Sequence, residues 1–259
     1  MLRKGDLTQG GITGTLLHFT LPMMVGSFLQ QCYNIADTLI VGQCIGAGAL
    51  AAVGSAYTLM VFLISVLLGL AMGSGTVFSL HYGAGNHVAL RRSIFSSFAL
   101  IGIVTLILNV VVFIWLDPIL RLLQVPQDIY GMMRSYLWII FCGIVFTFIY
   151  NFYASLLRAV GDSVTPLWFL AVSVVLNIAL DLFFILQLDW GIQGAAAATV
   201  LAQGVAALGI IIYTYRRRPE LRWHHEDMCF DRTCLKEIAS FSTLTCVQQS
   251  VMNLGILMV

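Results

Sequence analysis

Fifty-three consecutive residues, from Thr38 to Leu90, contain no Asp, Glu, Lys or Arg. An ordinary soluble domain carries about one charged residue in four, so a run this long has no face suited to water. It has room for two helices of about 20 residues each, the length that crosses the hydrocarbon core of a bilayer. The rest of the chain agrees: of 259 residues, 59% are hydrophobic and 10% are charged. The net charge is only +1, and the basic residues form no stripe interleaved with aromatics, which excludes nucleic acid as a partner. The expectation is an all-α, polytopic membrane protein whose surroundings are the lipid bilayer.

Apolar periodicity and length predict six complete spans, at about 16–42, 50–78, 93–116, 134–157, 166–188 and 191–215. A seventh begins near Ile238 and is still apolar at Val259, so it reads as truncated. If the N-terminus is cytoplasmic, Arg3, Lys4, Arg91, Arg92, Arg158, Arg216, Arg217, Arg218, Arg222, Arg232 and Lys236 lie inside. That is 11 of the 13 basic residues, with Arg121 and Arg134 alone outside. This asymmetry predicts a multi-pass protein of the cytoplasmic membrane with its N-terminus in the cytoplasm. Residues 5–14 are polar and the following apolar run holds an Asp, so the first helix is expected to be retained and not cleaved as a signal.

Charge also divides the chain. Eleven of its 25 charged residues fall between Arg216 and Glu237. The segments are therefore a six-helix transmembrane unit over 1–215, a charged cytoplasmic linker over 216–237, and the broken first helix of a second unit over 238–259. Gln248 and Gln249 echo Gln30 and Gln31, and Leu257 and Val259 echo Leu39 and Val41 at the same offset. Such an echo fits a transporter built from two parallel repeats. Gly69, Gly73 and Gly75, and the run from Gly194 to Ala198, suit close helix packing. Pro22 removes a backbone hydrogen bond within the first span and predicts a bend, or hinge, near Thr20 and Leu21.

Two ionisable residues remain deep in the spans, Asp37 in the first and Asp181 in the fifth. Each costs roughly 2.5–3.5 kcal/mol at a helix centre, so each needs a proton, a cation or an aqueous cavity. Gln30, Asn34 and Asp37 share one face of the first helix, Asn177 and Asp181 one face of the fifth, and Thr199 and Gln203 one face of the sixth. Asn151 adds an amide late in the fourth. For Gln30, Gln31 and Gln203 taken singly, helix-to-helix hydrogen bonding worth about 0.6 kcal/mol explains them as well as a site does. Carboxylates, amide carbonyls and a hydroxyl suit a proton or a hard cation such as Na+, not a transition metal.

Other chemistries find less support. Cys32, Cys142 and Cys246 fall in spans, Cys44 at a span end, and Cys229 and Cys234 on the reducing side, so no structural disulfide is expected. His224, His225, Cys229 and Cys234 match no zinc spacing and read as a solvated linker, and His81 and His87 read as interfacial. There is no GxxxxGK loop, GxSxG elbow or HExxH helix, so the chain is not expected to be an enzyme or to hold a cofactor.

At these residues the chain resembles the MATE (multidrug and toxic compound extrusion) family, over essentially its whole length. The resemblance is carried by Leu21 and Pro22, Gln30 and Gln31, Tyr33 to Asp37, Ile40 to Gly42, and Ala51 to Gly54. A second block runs from Leu157 to Asp162, through Pro166, to Leu176 to Asp181. It implies a protein of twelve helices in two six-helix lobes that exchanges an inward H+ or Na+ gradient for outward movement of small organic, often cationic and amphiphilic, compounds. It further implies a cation site at Asp37, Asn177, Asp181 and Thr199, with the Ala195 carbonyl as a further ligand and Pro22 as the point where the first helix bends. Gln30, Asn34, Asn151 and Gln203 would support that site. The missing C-terminal lobe would be a partner needed to complete the substrate cleft.

Two other readings stay open. A lipid-linked oligosaccharide flippase shares the superfamily, but an anionic carrier calls for Arg or Lys in the cleft, and none lies deep in the six spans. The other is a non-transporting fragment or half-transporter.

Overall fold

The computed structural model describes residues 12–222 and 232–257. Among these the chain is helical from end to end: α1 (Ile12–Cys44), α2 (Ala47–Gly83), α3 (His87–Leu122), α4 (Gln127–Cys142), α5 (Ile144–Ala159), α6 (Val164–Leu182), α7 (Gly191–Arg217) and α8 (Arg232–Leu257). A π-helical turn, Phe183–Gln187, extends α6, and a 3-10 turn, Pro219–Leu221, follows α7. Four helices, α2, α3, α6 with its π turn, and α7, are long and apolar enough to cross a membrane, and the bent pair of α4 and α5 makes a fifth. At 33 residues α1 also has the length, since a helix rises about 1.5 Å per residue.

The spans differ from the sequence expectation mainly at their ends. Outside the expected 93–116, α3 continues to both sides and starts at a cap, where Asn86 Oδ1 accepts from the Ala89 N–H at 3.0 Å. The expected fourth span is two helices that meet at Gly143 with a bend of 47°. Two neighbours set that break. A side chain at 143 would run into Val200 of α7, and the Phe141 carbonyl accepts from Asn109 Nδ2 of α3 at 2.7 Å. A lipid-embedded backbone tolerates a break only where its carbonyls are met in this way.

Packing follows the logic of a bundle solvated by lipid. One half of the interior is filled by Leu116, Leu120, Met133, Leu137 and Phe141 against small residues such as Ala52, Ala195 and Ala196. The other half holds an aromatic cluster in which Phe152 meets Phe78 and Phe98 edge to face at 5.9 and 5.2 Å. Ile107, Val110, Ile114, Trp115, Trp168 and Val175 point outward. An apolar surface this extensive belongs in lipid.

Basic residues mark one end of the bundle. Arg91 and Arg92 open α3, Arg158 closes α5, and Arg216 to Arg218 close α7. Arg218 ties that end together, 3.6 Å from Asp162 in the turn between α5 and α6 and 3.3 Å from Glu220. Arg222 donates to the Tyr215 carbonyl and lies over its ring. At the opposite end Arg134 pairs with Asp117 at 2.8 Å, and the Tyr130 hydroxyl donates to the same carboxylate at 2.9 Å.

The last helix, α8, starts at Arg232, ahead of the expected Ile238, and lies along α2. Gly69 and Gly73 let the two backbones touch: a Cβ at 69 would stand 2.6 Å from the Cys246 Cα, and one at 73 would strike Ser242. Ser242 Oγ donates to the Leu70 carbonyl at 3.3 Å and Cys246 Sγ to the Val66 carbonyl at 3.4 Å. Nearer the basic end, His81 Nε2 is 3.7 Å from Glu237. Residues Arg3, Lys4, His224, His225, Cys229 and Val259, and the side chains of Arg232, Cys234 and Leu257, lie outside the described residues.

Candidate cation site

Where α1, α6 and α7 pack together, four side chains converge. Asp37 lies near the end of α1 and is 9% exposed; Asn177 and Asp181, one turn apart on α6, are 1% and 0% exposed; Thr199 on α7 is 7% exposed. Helical spacing puts Asn177 and Asp181 on the same stripe, and the packing of α6 against α1 and α7 buries that stripe. The carboxyl groups of Asp37 and Asp181 are within hydrogen-bonding reach of each other. One oxygen of each, Oδ1, is buried without a hydrogen-bond partner among the described residues.

Asn177 bridges the pair to α7. Its amide fits its neighbours best with the nitrogen donating to Asp181 Oδ2 at 2.9 Å and the oxygen accepting from the Thr199 N–H at 3.2 Å. Thr199 Oγ1 donates to the Ala195 carbonyl, one turn back, at 3.1 Å. The Tyr33 hydroxyl, one turn before Asp37 on α1, meets Thr199 Oγ1 at 3.3 Å. Tyr136 of α4, 4% exposed, lies within electrostatic reach of Asp37, Asp181 and Tyr33.

Two carboxylates cannot hydrogen-bond each other unless one carries a proton, and two buried negative charges side by side repel strongly. The arrangement is therefore chemically suited to a positive charge. A proton on either carboxyl satisfies it, and so does a hard cation held by the two free Oδ1 atoms with nearby amide and hydroxyl oxygens. No group of three or more His, Cys, Asp or Glu side chains suited to a transition metal occurs among the described residues.

The other expected positions stand apart from the carboxyl pair. Gln30 is exposed, and Asn34 donates to Gln31 Oε1 at 3.1 Å and not to Asp37. Asn151 Nδ2 bonds the Thr147 carbonyl of its own helix at 2.8 Å, while Gln203 Oε1 accepts from the Thr147 hydroxyl. Pro22 sits inside α1, which stays helical from Ile12 to Cys44. Spacing missed the two tyrosines. Tyr33 was legible, being four residues before Asp37 and so on its face; Tyr136 comes within electrostatic reach of the carboxyls only through the packing of α4, which no local pattern encodes. The π turn was also missed, and it begins two residues after Asp181, where stacked rings of Phe184 and Trp190, 5.2 Å apart, hold the chain reversal.

An all-helical, lipid-facing bundle with a buried ionisable pair is a polytopic integral membrane protein. The family model described as MatE matches residues 22–183, and the chain belongs to that family. It is 36% identical over 217 residues to "Probable multidrug resistance protein YpnP" of Bacillus subtilis, covering 84% of this chain and 49% of that protein. It is 31% identical over 210 residues to "Multidrug export protein MepA" of Staphylococcus saprophyticus, covering 78% and 45%. The chain thus spans about half the length of these relatives. Among solved structures, its fold matches an outward-facing multidrug resistance MATE family transporter of the MOP superfamily with a TM-score of 0.89 at 24% identity, over 96% of this chain and 55% of that one. A MATE crystal structure in complex with MaD3S matches with a TM-score of 0.90 at 24% identity, over 97% and 57%.

Proposed function

We propose that this chain supplies the N-terminal lobe of a cation-coupled antiporter that exports small organic, mainly cationic and amphiphilic, compounds across the cytoplasmic membrane. The observation that carries the reading is the contact between Asp37 and Asp181, since a buried carboxyl pair is costly in a membrane unless its charge is used. Multidrug resistance and export are what the names of the matched relatives state, and the part of such a protein that this chain does not span would provide the other lobe.

In this mechanism H+ or Na+ entering from outside neutralises the pair and draws α1, α6 and α7 together. Release of the ion inside leaves the charges opposed and favours a different packing of α1, with Pro22 as its hinge. A ligand shifts such an equilibrium only through its differential affinity for the two states. The two lobes rock about the substrate cleft, with α8 as the first helix of the second lobe and residues 216–237 as the joint. The arginine-rich end faces the cytoplasm, as the positive-inside rule requires, which puts the N-terminus there too. No cofactor is needed beyond the coupling ion.

The test is transport by the intact protein in sealed proteoliposomes loaded with ethidium. An imposed H+ or Na+ gradient accelerates ethidium movement against that gradient if the reading holds. If neither gradient changes the rate, the coupling is refuted. Transfer of a labelled lipid-linked pyrophosphate carrier without ethidium movement would replace the antiporter by a flippase.

A further inference from the structure

Behind Thr199 lies a small cavity of about 30 Å³, between α2, the α4–α5 bend and α7. Its apolar walls include Met60, Phe141 and Val200, but three polar side chains also line it: Thr147, Thr199 and Gln203. Gly143, the point of the bend, is part of the wall. A water needs roughly 10–15 Å³ of such space and two to four polar partners, so both conditions are met for one or two molecules.

The hydrogen-bonding capacity of the lining points the same way. A threonine hydroxyl has one proton to give and two lone pairs. Thr199 gives its proton to the Ala195 carbonyl and receives the Tyr33 hydroxyl. With the Asn177 nitrogen turned to Asp181, one Thr199 lone pair stays open. One turn further along α7, Gln203 Oε1 accepts from Thr147 Oγ1, and the Gln203 amide nitrogen donates to no protein group among the described residues. Thr199 and Gln203, one turn apart on α7, thus border the same space with unused hydrogen-bonding capacity, and Thr147 of α5 borders it across the cavity.

We infer that this cavity is an internal hydration site, holding one or two waters that link Thr199 Oγ1 to the Thr147–Gln203 pair. The polar network around Asp37 and Asp181 then continues through α7 to the bend at Gly143 in the fourth span. Gln203, which makes no contact with the carboxyls, joins them through water. The link to coupling rests on the antiporter reading; the hydration itself does not.

Hydroxyl-radical footprinting of the intact protein in nanodiscs reads buried water without transport. Phe141 is 1% exposed and lines the cavity, whereas Phe78 and Phe152, both at 0%, lie in the dry aromatic cluster. The expected result is oxidation of Phe141 several-fold faster than of Phe78 and Phe152. Thr147→Val and Gln203→Leu bring Phe141 down to the rate of those two, and Thr147→Ser preserves the labelling. Equal rates for the three phenylalanines in the unmodified protein would overturn the proposal, as would fast Phe141 labelling that survives both apolar substitutions. A failure of gradient-driven efflux would leave this result standing and strike only the antiporter reading.

Discussion

Asp37 of α1 and Asp181 of α6 bring their carboxyl groups into hydrogen-bonding reach, and Asn177 joins Asp181 to the Thr199 N–H of α7. Few arrangements in a membrane bundle are so demanding, because each group alone resists burial and together they repel unless a positive charge intervenes.

The amide and hydroxyl that tie this pair to α7 are expected to tune it without carrying its charge. Thr199→Val removes a hydroxyl that serves Tyr33 and the Ala195 carbonyl, and hydrogen bonds of this kind are worth about 1 kcal/mol each. Coupling-ion affinity, measured as the gradient needed for half-maximal efflux, weakens by roughly five- to tenfold. Thr199→Ser stays close to the unmodified protein.

The crossing of α2 and α8 predicts a steep size limit. Gly73→Leu forces a side chain into Ser242 where the two backbones touch, and overpacking a tight contact costs about 1–3 kcal/mol or more. The melting temperature of the purified protein falls, or the protein aggregates on size-exclusion chromatography. Gly54→Ala, on the same helix with open space around it, leaves both unchanged.

At the bend of the fourth span, Asn109 is expected to matter more than its lone position on α3 suggests. Asn109→Leu removes the donor to the Phe141 carbonyl, and a buried carbonyl left unpaired costs about 1–3 kcal/mol. A lower thermal midpoint is the expected outcome. By contrast Arg134→Ala, at an exposed ion pair with Asp117, leaves the midpoint and efflux unaltered, since solvent screens such pairs.

Orientation is open to a labelling test. In a background without other accessible cysteines, Gly85→Cys between α2 and α3 reacts with a membrane-impermeant maleimide only after the cells are opened. Gln124→Cys between α3 and α4 reacts in intact cells. The reverse pattern would invert the topology drawn from the arginines.

Much of this was legible in the sequence. The charge-free stretch from Thr38 to Leu90 fixes the class, and membrane cost with helical spacing singles out Asp37, Asn177, Asp181 and Thr199, which the fold brings together. The offsets that placed Gln30 and Asn34 on the face of Asp37 were geometrically sound, yet a helix face is wider than a hydrogen bond: Gln30 is exposed and Asn34 donates to Gln31. Asn109 escaped because its hydrogen bond to the Phe141 carbonyl joins helices distant in sequence, and the nearness of Tyr136 to the carboxyls likewise depends on how α4 packs. The break at Gly143 escaped too, since a single glycine in an apolar run signals close packing as readily as a bend, and only Val200 and the Phe141 carbonyl decide between them.

In the proposed mechanism, ion and transport meet at the carboxyl pair. The most direct measurement is gradient-driven ethidium efflux by the intact protein carrying Asp37→Asn, Asp181→Asn or both, alongside ethidium binding in detergent. The account predicts that each single variant binds ethidium but loses acceleration by the H+ or Na+ gradient, and that the double variant is no worse than either, because the two groups act as one unit. Efflux that still follows the gradient in either single variant would contradict it.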